Sequence, residues 1–369
     1  MPDQFMRVEM LPALHGYCLL VEYGDTTRTR RLLIDGGPIG AYGALESRLA
    51  ALPAGDRRFE LMVLSHVDTD HIDGLVRLLA NPKPWPFVVK DVWFNGWRHL
   101  EQAHGLLGGK QGEFFSALLA RRLDDGCWNG AFHGDAVVVP DEQALPERML
   151  AGGMKLTLLS PTVPKLAKMR DAWRKDIGDA IEPGDLDAAW ALLAQQKRYL
   201  PGQGLLGTSP ELNALLAKQS RPDNAAANGA SIAFLAEFAG KSCLFLADAH
   251  PDAVCASLQR LLAARGLARL AVGAVKVAHH GSKANTTDAL LSLIESPRFL
   301  FSTNGAQFGH PDQEAVQRVI SRSTHLQPTL YFNYTSEHNR AWGCADLQKA
   351  LKYTSHYNVD DRTPLVVEL

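Results

Sequence analysis

The chain has 369 residues, 46% of them hydrophobic and 21% charged, with a formal net charge of −2. This composition supports a packed core, and it excludes a disordered chain and a generally basic nucleic-acid binder. Five scattered cysteines without a C-x-x-C pair argue against a disulfide framework or cysteine metal cluster, and no apolar run reaches the roughly 18 residues of a membrane span.

The N-terminus lacks the layout of a signal peptide, so the cytoplasm is the expected location. Residues 16–23 read as a strand, 24–26 as a turn and 31–34 as the returning strand, an antiparallel pair at the edge of the core. The pair ends in Asp35-Gly36-Gly37-Pro38, where Asp35 either caps the turn or orients a metal ligand. Residues 40–51 are a helix candidate. A strand over 59–64 then runs into Ser65-His-Val-Asp-Thr-Asp-His-Ile-Asp-Gly74, which carries His66, Asp68, Asp70 and His71. A helix is expected over 72–80, with Leu75, Leu78 and Leu79 on one face. The cluster would then lie on a loop between strand and helix, where α/β folds place their chemistry. Imidazoles and carboxylates this close suit Zn²⁺, Mn²⁺ or Fe, the alternative being a solvated loop with a helix cap.

Residues 91–97 and 155–160 read as strands and 114–123 as a helix. From 163 to about 223 periodic helical segments appear, such as 186–196, and this stretch is expected to be a helical insertion or lid. Trp173 and Trp190 read as packing residues there. Strands over 231–238 and 242–247 repeat the N-terminal layout and end at Asp248. A helix over 253–265 and a strand over 274–278 lead to His279-His280-Gly281-Ser282-Lys283. A helix over 287–295 and a strand over 299–302 lead to Asn304-Gly-Ala-Gln-Phe-Gly-His310-Pro. A helix over 313–321 and strands over 329–333 and 364–368 complete the chain. Strand and helix alternate, with polar residues at the strand ends, which predicts an α/β sandwich with one catalytic rim.

These motifs together resemble the metallo-β-lactamase superfamily, and within it the hydrolase domain of the ComEC DNA-uptake family and its soluble relatives. The resemblance covers roughly residues 8–90 and 225–320. It implies a metallo-β-lactamase-like αββα sandwich, with 1–369 as a single metallo-hydrolase domain and 163–223 as the helical insertion. It also implies one or two divalent ions, Zn or Mn. Asp70, His71, Asp248 and either His279 or His280 would hold one ion. His280 is favoured because it directly precedes a glycine, as in several relatives. His66, Asp68 and the bridging Asp248 would hold the other, with Asn228 or water where the superfamily has a third histidine. Asp68 replaces the usual second histidine, as it does in the ComEC-like branch, and this oxygen-rich set favours Mn²⁺ or Mg²⁺.

The implied reaction is hydrolysis by a metal-bound hydroxide near Asp70 and Asp248, a phosphodiesterase or nuclease-like activity, with nucleic acid among the substrates and no membrane partner. His279, Ser282, Lys283 and His310 would line the pocket, with Asn304 in the neighbouring loop. His310 would protonate the leaving oxygen, and Lys283 reads equally well as a solvated lysine. Two rivals stand beside this reading: a hydrolase of another ester, lactone or thioester, and a non-catalytic metal-containing binding or sensor subunit.

Overall fold

The computed structural model describes residues 3–81, 87–100, 109–141, 143–177, 181–200 and 225–369. Strands β1 (Phe5–Met10), β2 (Leu19–Gly24), β3 (Thr29–Ile34), β4 (Leu61–Val63) and β5 (Val92–Trp93) belong to the first sheet. The second contains β6 (Glu147–Met149), β7 (Lys155–Ser160), β8 (Ala233–Phe238), β9 (Lys241–Phe245), β10 (Ala274–Lys276), β11 (Arg298–Phe301), β12 (Thr329–Phe332) and β13 (Thr354–Tyr357). The final strand, β14 (Leu365–Glu368), returns to pair with β1, so the first sheet runs β14-β1-β2-β3-β4-β5. The second runs β13-β12-β11-β10-β9-β8-β7-β6. Each sheet is antiparallel in one half and parallel in the other, the change falling at β3 and at β9.

The period-two alternation of the strands explains the layers. Met6, Val8, Met10, Leu19, Val21 and Tyr23 face Leu156, Leu158, Phe234, Ala236 and Phe245 in one core between the sheets. The opposite face of the first sheet, with Leu20, Leu33 and Met62, packs under helices α1 (Tyr42–Ala50), α2 (Thr69–Ala80) and α3 (Gly109–Arg122). Helices α4 (Val163–Ile177) and α5 (Leu186–Leu193) join that layer through Leu166, Met169, Trp173, Ala189 and Leu193. After a short helix, α6 (Ala225–Gly229), helices α7 (Pro251–Arg265) and α8 (Gln313–Ser323) cover the outer face of the second sheet, over Leu235, Leu244 and Val275. The result is an αββα sandwich, the layering expected of a metallo-β-lactamase-like chain.

Several expected boundaries shift. The β2–β3 pair lies inside its sheet, not at an edge, because β1 and β14 extend it. The expected 59–64 strand divides, with Arg58–Phe59 in a separate two-stranded sheet and Leu61–Val63 as β4. The helix after the histidine cluster begins at Thr69 with Asp68 at its N-cap position, so Asp70 and His71 stand in its first turn. The expected 287–295 helix stops at Ser292 and gives way to a strand, Ile294–Glu295.

The described part of the 163–223 segment is built into the outer helical layer. The buried Glu113 carboxylate of α3 accepts from Trp173 Nε1 at 2.7 Å and from the Gly184 amide at 3.0 Å. The Tyr199 hydroxyl donates to the buried Asp73 of α2. Trp173 is fully buried and packs as expected, and the half-buried Trp190 lies against the Arg121 guanidinium at 4.8 Å. Residues 201–223 of the expected insertion lie outside the described residues. No helix among the described residues is long and apolar enough to cross a membrane. All five cysteines are free thiols.

Candidate metal centre

The parallel halves of both sheets bring four ligand-bearing segments to one rim. Asp35 follows β3, His66 follows β4, Asp248 follows β9 and His280 follows β10. The backbone is strained there: Asp35, Ala247, His279 and His280 all have positive φ, at 59°, 44°, 44° and 56°. Such left-handed residues without glycine cluster where surrounding packing enforces a functional geometry.

Each imidazole is anchored through Nδ1. The Asp35 carboxylate, fully buried, accepts from the Ser65 amide and hydroxyl, each at 2.7 Å, and from His71 Nδ1 at 2.8 Å. With the Ser65 hydroxyl proton committed to Asp35, Ser65 Oγ accepts from His66 Nδ1 at 3.0 Å. His280 Nδ1 donates to the Ser302 carbonyl at 2.9 Å. His279 Nδ1 donates to Asn285 Oδ1 at 3.0 Å, and the amide of Asn285 is oriented by donating to the Asp248 and Ala249 carbonyls. These hydrogen bonds fix the tautomer that leaves an electron pair on Nε2.

The four Nε2 atoms converge on one oxygen. Asp248 Oδ2 lies 3.9 Å from Nε2 of His66, 3.6 Å from that of His71, 3.6 Å from that of His279 and 3.7 Å from that of His280. Asp70 Oδ2 adds a second carboxylate, 3.2 Å from His280 Nε2 and 3.6 Å from His71 Nε2. The Nε2 atoms of His66, His71 and His280 and Asp248 Oδ1 are buried and have no hydrogen-bond partner among the described residues. Buried polar atoms left this way are costly unless another group satisfies them.

Among the described residues two overlapping triads could hold a cation: His66, His71 and Asp248, and Asp70, His71 and His280. Both include His71, and one Nε2 electron pair holds one ion, so only one of the two triads can use it at a time. Asp68 Oδ2 lies 3.6 Å from His66 Nε2. The mixed nitrogen and oxygen donors fit a divalent transition metal. The electrostatics agree. Burial would lower the His71 imidazole, yet Asp248, Asp70 and Asp35 together hold it well above its ordinary value. Burial would raise Asp248, yet His279, His71 and His280 hold it well below the usual carboxylate range. This is a field that draws a cation.

Other expected residues fall at different distances from this centre. His279 contributes Nε2 to the convergence while its ring packs edge-on to His310, 5.6 Å between centroids. Burial, with His280 and His279 as further causes, pulls the His310 imidazole down to about 4. Ser282 is buried, and its Oγ accepts from the Ala284 amide at 3.2 Å, closing the turn after His280. The Lys283 ammonium pairs with Glu314 at 3.1 Å, both side chains being half exposed. Asn304 shapes the His310 loop by accepting from the Ala306 amide at 3.0 Å. Asn228 is buried on α6, just before β8.

Three neighbours of the centre carry no motif. His15 interacts electrostatically with Asp70, and its ring meets Phe308 edge-on at 6.2 Å. Tyr17 stacks on His71 at 4.9 Å and meets His280 edge-on at 4.8 Å. Lys276 is fully buried beneath Tyr17, its Nζ 3.6 Å from the ring centroid. The lysine alone has a sequence signal, a charge inside an apolar strand.

No protein-family model matches the chain, and no curated protein matches it. Solved structures give distant similarities. YhfI from Bacillus subtilis, described as a metallo-β-lactamase fold protein, is 12% identical with a TM-score of 0.40 and covers 100% of both chains. Zn²⁺-bound PqqB from Methylobacterium extorquens is 10% identical with a TM-score of 0.39, covering 99% of this chain and 100% of its own. CmlA from Streptomyces venezuelae, a diiron β-hydroxylase, is 12% identical with a TM-score of 0.38. That match covers 100% of this chain and 55% of CmlA, so the chain spans about half of that protein.

Proposed function

We propose that this chain is a metal-dependent hydrolase of the ComEC-like kind that cleaves phosphodiesters. One observation carries the reading: the Nε2 atoms of His66, His71, His279 and His280 lie 3.6–3.9 Å from Asp248 Oδ2, each imidazole tied back through Nδ1. The motif order, with Asp68 in place of a histidine, favours a phosphodiester over another ester. A bound divalent cation, Zn or Mn, supplies Lewis acidity and makes a coordinated water acidic near neutral pH. Asp70, His71, Asp248 and His280 would hold it, and His66 with Asp68 would hold a second. Asp35 and Ser65 keep His71 and His66 in the coordinating tautomer. His310 would protonate the leaving oxygen or hydrogen-bond to a phosphate oxygen, and His15 and Phe308 would form the outer wall.

The test is direct. The protein is stripped of metal, reloaded with Mn²⁺ or Zn²⁺, and given bis-p-nitrophenyl phosphate, single-stranded DNA and a panel of lactones. Phosphodiester cleavage dependent on the added metal is expected, and Asp70→Ala should lower it at least 100-fold. Lactone opening without phosphodiester cleavage would replace this reading with the wider ester hydrolase, and metal binding without turnover would favour a sensor.

A further inference from the structure

Lys276 occupies an improbable place. It lies on β10 in register with Phe245 and Leu300, on the strand face that Ala274 turns to the core between the sheets. Its side chain is fully buried. The ammonium donates to the Val277 carbonyl at 3.3 Å and lies 3.6 Å from the Tyr17 ring centroid. A carbonyl and a ring face compensate a buried ammonium only in part. The remainder comes from the metal centre: burial draws Lys276 down to about 7, opposed by Asp248, Cys243 and Asp35. Asp35, Asp70 and Asp248 are themselves buried, with the imidazoles as their nearest countercharges. Asp248, which favours the ammonium, would also hold a metal.

We propose that Lys276 is a buried countercharge that stabilises the metal-free carboxylate cluster and opposes the divalent cation, so that its ammonium sets the affinity of the site for metal. This rests on the metal-centre reading above. Tyr17 is the contact between the two, since its ring touches the ammonium and both the His71 and His280 imidazoles. A divalent ion beside Asp248 and a monovalent one behind Tyr17 compete for one negative field, and linkage makes the competition mutual. The site then exchanges its metal more readily than its donor set alone would allow.

The sign separates this role from simple packing, because damage to the core can only loosen the site. Metal-stripped wild type, Lys276→Met, Lys276→Gln and Lys276→Arg are titrated with Zn²⁺ and Mn²⁺ by calorimetry at pH 6, where the lysine is mostly charged, with far-UV circular dichroism to confirm folding. The two neutral variants should bind about five- to tenfold more tightly, and Lys276→Arg should not. Neutral variants that bind at wild-type affinity or more weakly overturn the proposal, as does tightening by the arginine. If neither neutral variant folds, the ammonium is a requirement of the fold and the proposal also falls. Wild type that binds neither metal would instead overturn the metal-centre reading itself.

Discussion

Asp35 shows how a single side chain decides what a ligand can do. It accepts from His71 Nδ1 and from both donors of Ser65, so it sets one imidazole directly and His66 at one remove. Asp35→Asn should weaken metal binding about 10–100-fold while leaving the fold intact, measured by competition with a chelator. A second residue-scale prediction concerns His99, which is far from any motif. Burial, then Arg98, pulls its imidazole down to about 4. The folded state therefore holds fewer protons than the unfolded one between about pH 6.5 and 4. The stabilisation is fully present above the unfolded value and is lost as pH falls through that window. It amounts to at most about 2 kcal/mol between pH 6.5 and 5. Urea midpoints at pH 7 and pH 5 should converge in His99→Gln. The difference between Asp35 and His99 is one of legibility. Asp35 ends a strand in a string of motif residues, as do His66, Asp70, Asp248 and His280. The environments of His99, His15 and Tyr17 exist only after distant segments pack. Sequence alone does not decide whether Asp35 caps the turn or supports a ligand, because that choice depends on a partner 36 residues away.

At the scale of elements, α2 is the part on which the centre depends. Its first turn holds Asp70 and His71, and its glycine lets it approach the end of β3. The Gly36 amide donates to the His71 carbonyl at 2.8 Å and the Gly74 amide to the Gly37 carbonyl at 2.9 Å. A Cβ on Gly74 would stand 2.0 Å from the Gly36 carbonyl oxygen and 2.6 Å from its carbon. Alanine is the better helix former by about 1 kcal/mol, but here the obstacle is backbone and cannot swing aside. Gly74→Ala should cost about 1–3 kcal/mol net, seen as a lower denaturant midpoint, and should weaken metal binding because His71 moves with the helix. An unchanged midpoint would show that α2 can slide without loss. Apolar periodicity made the interior of α2 readable but not its start. Helical periodicity locates the buried face, whereas the start depends on which residue stands at the N-cap, and Asp68 holds that position three residues earlier than expected. Strand β1 shows the period-two alternation, with Arg7 and Glu9 between Met6, Val8 and Met10, but Glu9 is buried and the two charges are absorbed by Glu22 and Arg48. That pairing becomes visible only once β2 and α1 lie alongside.

The whole molecule is two sheets that meet along an apolar core and again at the rim. The rim contacts are polar: the Ile232 amide donates to the Ser65 carbonyl at 2.9 Å, and the Tyr17 hydroxyl donates to the Val277 carbonyl. The candidate ligands divide the same way. His66, Asp70 and His71 belong to the first sheet and its helix, Asp248 and His280 to the second. A cation held by both sets is therefore a fastener between the two halves, and its binding free energy becomes stability. With free metal at 100 times its Kd the native state gains about 2.7 kcal/mol. Adding Zn²⁺ or Mn²⁺ to the stripped protein should raise its thermal midpoint, and chelation should reverse the shift. The far-UV circular dichroism of the metal-free form should stay the same, because the core of Val8, Val21, Phe234 and Phe245 does not involve the ligands. Asp248→Asn should abolish the shift by removing the oxygen on which the four imidazoles converge, and its own metal-free midpoint should fall below that of wild type, since the imidazoles that hold Asp248 ionised lose their partner. A metal-induced shift that persists in Asp248→Asn would mean that the cation binds elsewhere and that the two halves are joined by their apolar core alone.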